Sequence, residues 1–209
     1  MTLGRASLLL LAIPLIACSG ISKLDYTKLA SRAGWQHPDR VIESLEIRPG
    51  SRVADIGAGD GYFVPYLSHA VGPEGRVYAV DVDPKKVEAL EKRVREEGYP
   101  NVVVVAGGYA DPLLPESGVD LVLLVNTYNH IEDRPAYFSR LKSDLREPSR
   151  VAIIDMRDDL SGILRLFATK EHWTSLESMR EEMERAGYRS SASFDFLPVQ
   201  SFEVFEPGD

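Results

Sequence analysis

The stretch Val53-Ala54-Asp55-Ile56-Gly57-Ala58-Gly59-Asp60-Gly61-Tyr62-Phe63 decides the reading of this chain. An apolar run ends on a carboxylate, three glycines follow at alternate positions, and aromatic residues resume at once. Glycines at that density cost conformational entropy that an ordinary turn does not demand, so they belong where a backbone turns tightly beside a ligand. The segment reads as a short strand, a glycine loop and the start of a helix. The dinucleotide fingerprint G-x-G-x-x-G is the natural comparison. Here Gly61 comes one residue early and Tyr62 stands where that fingerprint wants glycine. A pyrophosphate-bearing cofactor is therefore a poor match.

Strand-like and helix-like segments alternate outward from this loop. Arg52 to Ile56 is a short apolar strand, and a helix from Tyr62 to Val71 stops at Gly72-Pro73. Val77 to Val82 is a second strand. Asp83 then suits an N-cap with Pro84 in the first helical position, Val87, Leu90 and Val94 form an apolar stripe, and Gly98 ends the helix. Val102 to Ala106 and Leu121 to Val125 are unbroken aliphatic runs of the kind buried on both faces of a parallel sheet. Tyr137, Phe138, Leu141 and Leu145 return to helical spacing between Asp133 and Leu145, and Val151 to Ile154 is a fifth strand. Thr174-Ser175-Leu176-Glu177 has a capping-box pattern ahead of a helix carrying Met179 and Met183, which ends at Gly187. Two strand-like runs, Ser193 to Leu197 and Ser201 to Phe205, close the chain, and upstream Val41, Ile42 and Leu45 share one helical face before Pro49-Gly50.

The expected fold is α/β: a doubly wound, mostly parallel seven-stranded sheet with helices on both faces and a C-terminal antiparallel hairpin. Ligands of such sheets bind beyond the carboxyl ends of the strands, where the glycine loop lies.

With 209 residues, 44% of them hydrophobic and 27% charged, the chain suits one globular domain. The net charge of -8 and the absence of a dense basic cluster argue against a nucleic-acid partner. The N-terminus is different in kind. Arg5 precedes the run Leu8 to Ala17, which Pro14 interrupts and which falls short of the roughly 20 apolar residues that cross a bilayer. A secretory signal fits better than a membrane span. Leu15-Ile16-Ala17-Cys18 resembles the bacterial lipobox, which implies lipidation at Cys18, the single cysteine. The expected division is a signal peptide over 1–18, a linker and the start of the first helix over 19–33, and the main domain over 34–209. The expected location is the cell envelope with a lipid anchor in the membrane, or the cytoplasm if the leader is not a functional signal.

The spacing Asp55-x-Gly57-x-Gly59-x-Gly61 resembles motif I of the class I S-adenosylmethionine-dependent methyltransferases. The methionine end of that cofactor carries an ammonium and a carboxylate, which Asp55 and free loop N–H groups suit. Asp81, in Ala79-Val80-Asp81-Val82-Asp83-Pro84, matches the acid that in this family accepts hydrogen bonds from the ribose hydroxyls; Asp83 is better explained as a helix cap. In Gly107-Gly108-Tyr109-Ala110-Asp111-Pro112 the family's Gly-Asp-Ala order is absent, and Asp111 is the nearest candidate for the adenine contact. The span from Trp35-Gln36 to Asp195-Phe196-Leu197-Pro198 is similar to a group of bacterial methyltransferases whose fourth strand ends Asp-Thr-Tyr-His-His. This chain has Asn126-Thr127-Tyr128-Asn129-His130, so an acid and a histidine are replaced.

The resemblance implies a cofactor set of Asp55, Gly57, Gly59, Gly61, Tyr62, Asp81, Val82, Asp111 and Asn126. A metal is poorly supported. His130 suits a general base because imidazole titrates near neutrality, and it suits equally a packing role under the cofactor. Tyr128 is a candidate wall of the cofactor or acceptor pocket. The leading expectation is methyl transfer from S-adenosylmethionine to a small-molecule acceptor. The alternative is an envelope protein that binds the nucleotide without turnover, and a nicotinamide oxidoreductase is the weakest reading.

Overall fold

Aliphatic runs between glycine and proline breaks set the strands, as expected. The computed structural model describes residues 31–160 and 174–208; the leader, with Cys18, and most of the linker lie outside the described residues. Two short helices come first, α1 (Arg32–Gln36) and α2 (Pro38–Ser44). Then follow β1 (Arg52–Ile56), α3 (Val64–Val71), β2 (Arg76–Asp81), α4 (Pro84–Glu97), β3 (Val102–Ala106) and β4 (Val119–Val125). The chain ends with α5 (Arg134–Leu141), β5 (Leu145–Met156), α6 (Leu176–Arg185), β6 (Tyr188–Phe194) and β7 (Gln200–Pro207).

The seven strands form one sheet in the order β3-β2-β1-β4-β5-β7-β6. The pairs among β1 to β5 are parallel, and β7 is antiparallel to both β5 and β6. The chain starts at β1 in the middle, winds outward to β3, then returns to β4 on the other side, so a topological switch point falls between β1 and β4. This is the doubly wound sheet with a closing hairpin that the sequence led us to expect.

Both faces are covered. Val41, Leu45, Leu67, Val71 and Leu90 from α2, α3 and α4 pack with Val53 and Leu123 on one side. Tyr137, Phe138, Leu141, Met179 and Met183 from α5 and α6 pack with Ala54, Val122 and Ile153 on the other. Helix ends follow the expected chemistry: the Asp83 carboxylate accepts from the Lys85 N–H, and Gly98 caps α4 in a left-handed conformation.

Several boundaries shift by one or two residues, and three differ by more. The helix expected to reach Leu145 ends at Leu141, and a 3-10 turn, Lys142–Asp144, leads into the next strand. β5 starts at Leu145 rather than Val151, because its first half carries exposed Arg146, Glu147 and Pro148 where the register with β4 shifts. The strand expected at Ser193–Leu197 runs instead from Tyr188 to Phe194. It is an edge strand whose polar Arg189, Ser190 and Ser191 face solvent, so it lacks an aliphatic run. No helix among the described residues is long and apolar enough to cross a membrane.

Candidate active site

The glycine loop is fixed from four directions. Val80 O on β2 accepts from the N–H groups of both Gly57 and Ala58, each at 2.9 Å. The Gly59 N–H donates to Asp81 Oδ2 at 2.9 Å, while Asp81 Oδ1 accepts from the Asp83 N–H at 3.0 Å. Arg93 on α4 donates to the carbonyls of Asp60 (2.7 Å) and Gly61 (3.0 Å). Thr127, just beyond β4, stands so close to Gly57 that a Cβ there would lie 2.2 Å from its Oγ1. Gly57, Gly59 and Gly61 all have positive φ, at 75°, 61° and 75°.

Asp81 is 5% exposed, and its carboxylate joins the loop to the end of β2. Each of its oxygens accepts one backbone N–H, and a carboxylate has about four acceptor positions, so capacity for two hydroxyls remains. Its neighbour Val82 is exposed.

Asp55 points the same way by a different route. It is 3% exposed, and its Oδ2 is buried without a hydrogen-bond partner. Burial pushes its carboxyl up to about 7; Arg32 opposes this, and Asp81 and Asp60 add to it. Beside it lies α1, to which the sequence reading assigns no role. Arg32 pairs with Asp60 at 3.1 Å, donates from Nε to Gln36 Oε1 at 2.6 Å, and stacks its guanidinium 4.0 Å from the Tyr62 ring centroid. Gln36 is 1% exposed, and its Nε2 is a buried donor without a partner. An unpartnered buried acceptor and an unpartnered buried donor beside the same loop match an ammonium and a carboxylate. Groups of this kind cost about 1–3 kcal/mol each when nothing satisfies them.

The remaining expected residues divide. Asn126 takes φ 53°, which asparagine tolerates better than most residues, and its Oδ1 accepts from Gln200 Nε2 at 2.8 Å. His130 is exposed at the end of the turn Tyr128–His130. Tyr128 is corrected: it is fully buried, stacks on Phe138, and donates to Glu182 Oε2 at 2.6 Å, where Arg134 also binds. Burial pushes its phenol further above the ordinary range, and it is a core anchor of α6 rather than a pocket wall. Asp111 is also committed elsewhere. Its Oδ1 accepts from the Leu113 N–H and its Oδ2 pairs with Arg140 at 2.6 Å. Both of its oxygens are therefore engaged by protein groups, one of them in an ion pair.

A family model described as a methyltransferase domain matches residues 47–196, the span from the approach to β1 into the turn between β6 and β7. The chain belongs to the methyltransferase-domain family. The class I resemblance of its motifs is borne out, and S-adenosylmethionine is the cofactor of the family. A crystal structure of a SAM-dependent methyltransferase from Aquifex aeolicus superposes with a TM-score of 0.76 at 25% identity, over 86% of this chain and 95% of that one. The 1,6-didemethyltoxoflavin-N1-methyltransferase of Burkholderia thailandensis, solved with S-adenosylhomocysteine, shares the fold at a TM-score of 0.64 and 20% identity, over 87% of this chain and 81% of that one. The protein-L-isoaspartate O-methyltransferase of Ignicoccus hospitalis is 32% identical over 84 residues, 40% of this chain and 40% of that enzyme. The match thus spans less than half the length of that relative.

Proposed function

We propose that this chain binds S-adenosylmethionine across the Asp55–Tyr62 loop and Asp81, and methylates a small-molecule acceptor. The observation that carries this reading is the bond from the Gly59 N–H to Asp81 Oδ2. It joins the motif that meets the amino-acid end of the cofactor to the carboxylate that meets its ribose.

When bound, S-adenosylmethionine supplies a methyl group already activated by the sulfonium charge. The protein's task is then alignment and exclusion of water, with little acid–base chemistry. Asp55 accepts from the ammonium and Gln36 Nε2 donates to the carboxylate, the N–H groups of Gly57, Ala58 and Gly59 being taken up by Val80 O and Asp81. Asp81 accepts from the ribose hydroxyls, Val82 and Asp111 border the adenine, and Asn126 closes the site from β4. His130, exposed at the end of the same turn, takes the proton from the acceptor.

Thermal unfolding with S-adenosylmethionine, S-adenosylhomocysteine and NAD tests this directly. A ligand at about 100 times its Kd adds about 2.7 kcal/mol, which in a domain this size raises the midpoint by roughly 5–10 °C. Either sulfur nucleotide is expected to give such a shift, NAD none, and Asp81→Ala is expected to remove it. Stabilisation by NAD alone would replace this reading with the oxidoreductase one.

We also propose that the leader delivers the enzyme to the cell envelope and that Cys18 carries its lipid anchor. The support is the basic residue, short apolar run and Leu15-Ile16-Ala17-Cys18 end of the leader. Cys18→Ser is expected to move the protein from the membrane fraction to the soluble fraction. An unchanged distribution rules the anchor out.

A further inference from the structure

A second polar centre lies across the switch point from the glycine loop, at the carboxyl end of β5. There Asp155 is 2% exposed; its Oδ1 accepts from Asn129 Nδ2 at 2.9 Å and from the Met156 N–H at 2.8 Å, and the backbone N–H groups of Tyr128 and Asn129 also bond to the carboxylate. Next to it in the β5–β7 register is Gln200, paired with Met156 and 1% exposed. Gln200 donates from Nε2 to Asn126 Oδ1, while its Oε1 is a buried acceptor without a partner.

Gln200 lines a cavity of about 290 Å³ whose apolar walls include Leu176, Phe194 and Phe202. That volume lies at the lower end of the roughly 300–1,000 Å³ typical of small-molecule sites. The charged residues of the lining are Arg157 against Asp158, Asp159, Asp195 and Glu203. Arg157 is held by Asp159, and Glu203 by Arg180. Asp158 and Asp195 have no ion-pair partner among the described residues, so the cavity is net negative. A short chain of contacts ties it to the cofactor loop: Thr127 abuts Gly57, and Asn126 beside Thr127 binds Gln200.

An orphaned acceptor on the wall of a negative cavity suits a ligand that donates an N–H bond and carries positive charge. A carboxylate ligand would be repelled by this charge. Asp155 lies outside the lining; burial raises its carboxyl only to about 6, so it is ionised at pH 7.5 and adds to that field. We propose that this cavity is the methyl-acceptor subsite and that it takes a small amine with an apolar body in preference to a carboxylate. The assignment as acceptor subsite rests on the methyltransferase reading above.

The test uses three compounds of matched shape, benzylamine, benzyl alcohol and benzoate, titrated into the full-length chain loaded with S-adenosylhomocysteine at pH 7.5. Binding is followed by ligand-observed NMR and calorimetry. Benzylamine is expected to bind at least tenfold tighter than benzoate, with the alcohol between them. Gln200→Leu is expected to weaken benzylamine at least fivefold, and Asp155→Asn and the exposed Asp195→Asn about twofold each. The wild-type preference needs no variant to fold. Benzoate binding as tightly as benzylamine, no binding of any of the three, or unchanged affinity in all three variants overturns the proposal. Stabilisation by S-adenosylhomocysteine without amine preference sinks this proposal alone. Amine preference without that stabilisation sinks the cofactor reading and leaves the cavity's ligand class standing.

Discussion

Asp55→Asn is expected to raise the thermal midpoint of the ligand-free protein at pH 8 while removing most of its stabilisation by S-adenosylmethionine. The carboxyl is 3% exposed, and burial moves it from 3.8 to about 7. Between those values the folded protein keeps a proton that the unfolded chain has released, so the free energy of unfolding falls as pH rises. Above about pH 7 the full cost is present, and below about pH 4 it vanishes. At about 1.4 kcal/mol per pH unit, the cost has an upper bound of about 4 kcal/mol. Asparagine keeps the shape without the charge and is expected to recover about 1–2 kcal/mol, or roughly 2–8 °C. The gap between variant and wild type should therefore open from pH 4 to pH 7 and then stay constant. Binding moves in the opposite direction, because the ammonium loses a desolvated charge partner, and affinity is expected to drop on the order of 100-fold. Calorimetric unfolding across pH, with and without ligand, reads both effects. A variant no more stable than wild type at pH 8, or one that keeps the full ligand shift, removes Asp55 from the ammonium site.

The same residue shows what the sequence could and could not convey. Periodicity finds buried parallel strands easily, because Val102–Ala106 and Leu121–Val125 are aliphatic throughout, and proline and glycine mark the turns between them. It fails at the edge, where β6 is held by Tyr188 Oη bonding to Phe138 O and by pairing with β7, neither of which leaves a local apolar pattern. Helix α1 is five residues long and owes its position to Arg32 reaching Asp60 and Tyr62, contacts between segments far apart in the chain.

For the site, residues on one continuous motif were legible, and residues joined only by the fold were not. Thr127 and Arg93 act on the glycine loop from β4 and α4, and nothing in their own neighbourhoods marks them. Asp155 is a different case. Val151-Ala152-Ile153-Ile154-Asp155 repeats the pattern seen at Asp81, an aliphatic strand ending in a carboxylate, and the same rule would have found it. Asn129 shows the limit of reading a departure from a family pattern as a loss. Its amide donates to Asp155 and accepts from the Thr174 hydroxyl, two bonds that a carboxylate or a single imidazole nitrogen would not make together.

Gly57→Ala and Gly59→Ala are expected to fail in different ways, although both glycines sit in left-handed conformations one residue apart. At Gly57 the added Cβ would lie 2.2 Å from Thr127 Oγ1 and 2.5 Å from Cγ2, so either the loop or the turn after β4 has to move. With about 1–2 kcal/mol of backbone strain added, the total loss should be about 3 kcal/mol, a fall of roughly 6–12 °C. Displacing the loop also disturbs the two N–H bonds to Val80 O, so binding falls with stability. At Gly59 the nearest atom to a Cβ is Gly57 O at 3.9 Å, and the added methyl stands in open space over the loop. That variant should lose only the strain, about 1–2 kcal/mol, and fold. Yet its methyl occupies the space through which the cofactor meets the loop, so the shift with S-adenosylhomocysteine is expected to disappear. Thr127→Ala removes Oγ1 and Cγ2 and leaves Cβ, which would still be 2.9 Å away; in that background Gly57→Ala should cost at least about 1 kcal/mol less, a coupling that a double-mutant cycle measures. Gly59→Ala should show no coupling to Thr127→Ala. If the two alanine variants lose stability and binding in equal proportion, Gly57 and Gly59 do not divide fold and ligand between them, and Thr127 is not the residue that holds the loop in its binding shape.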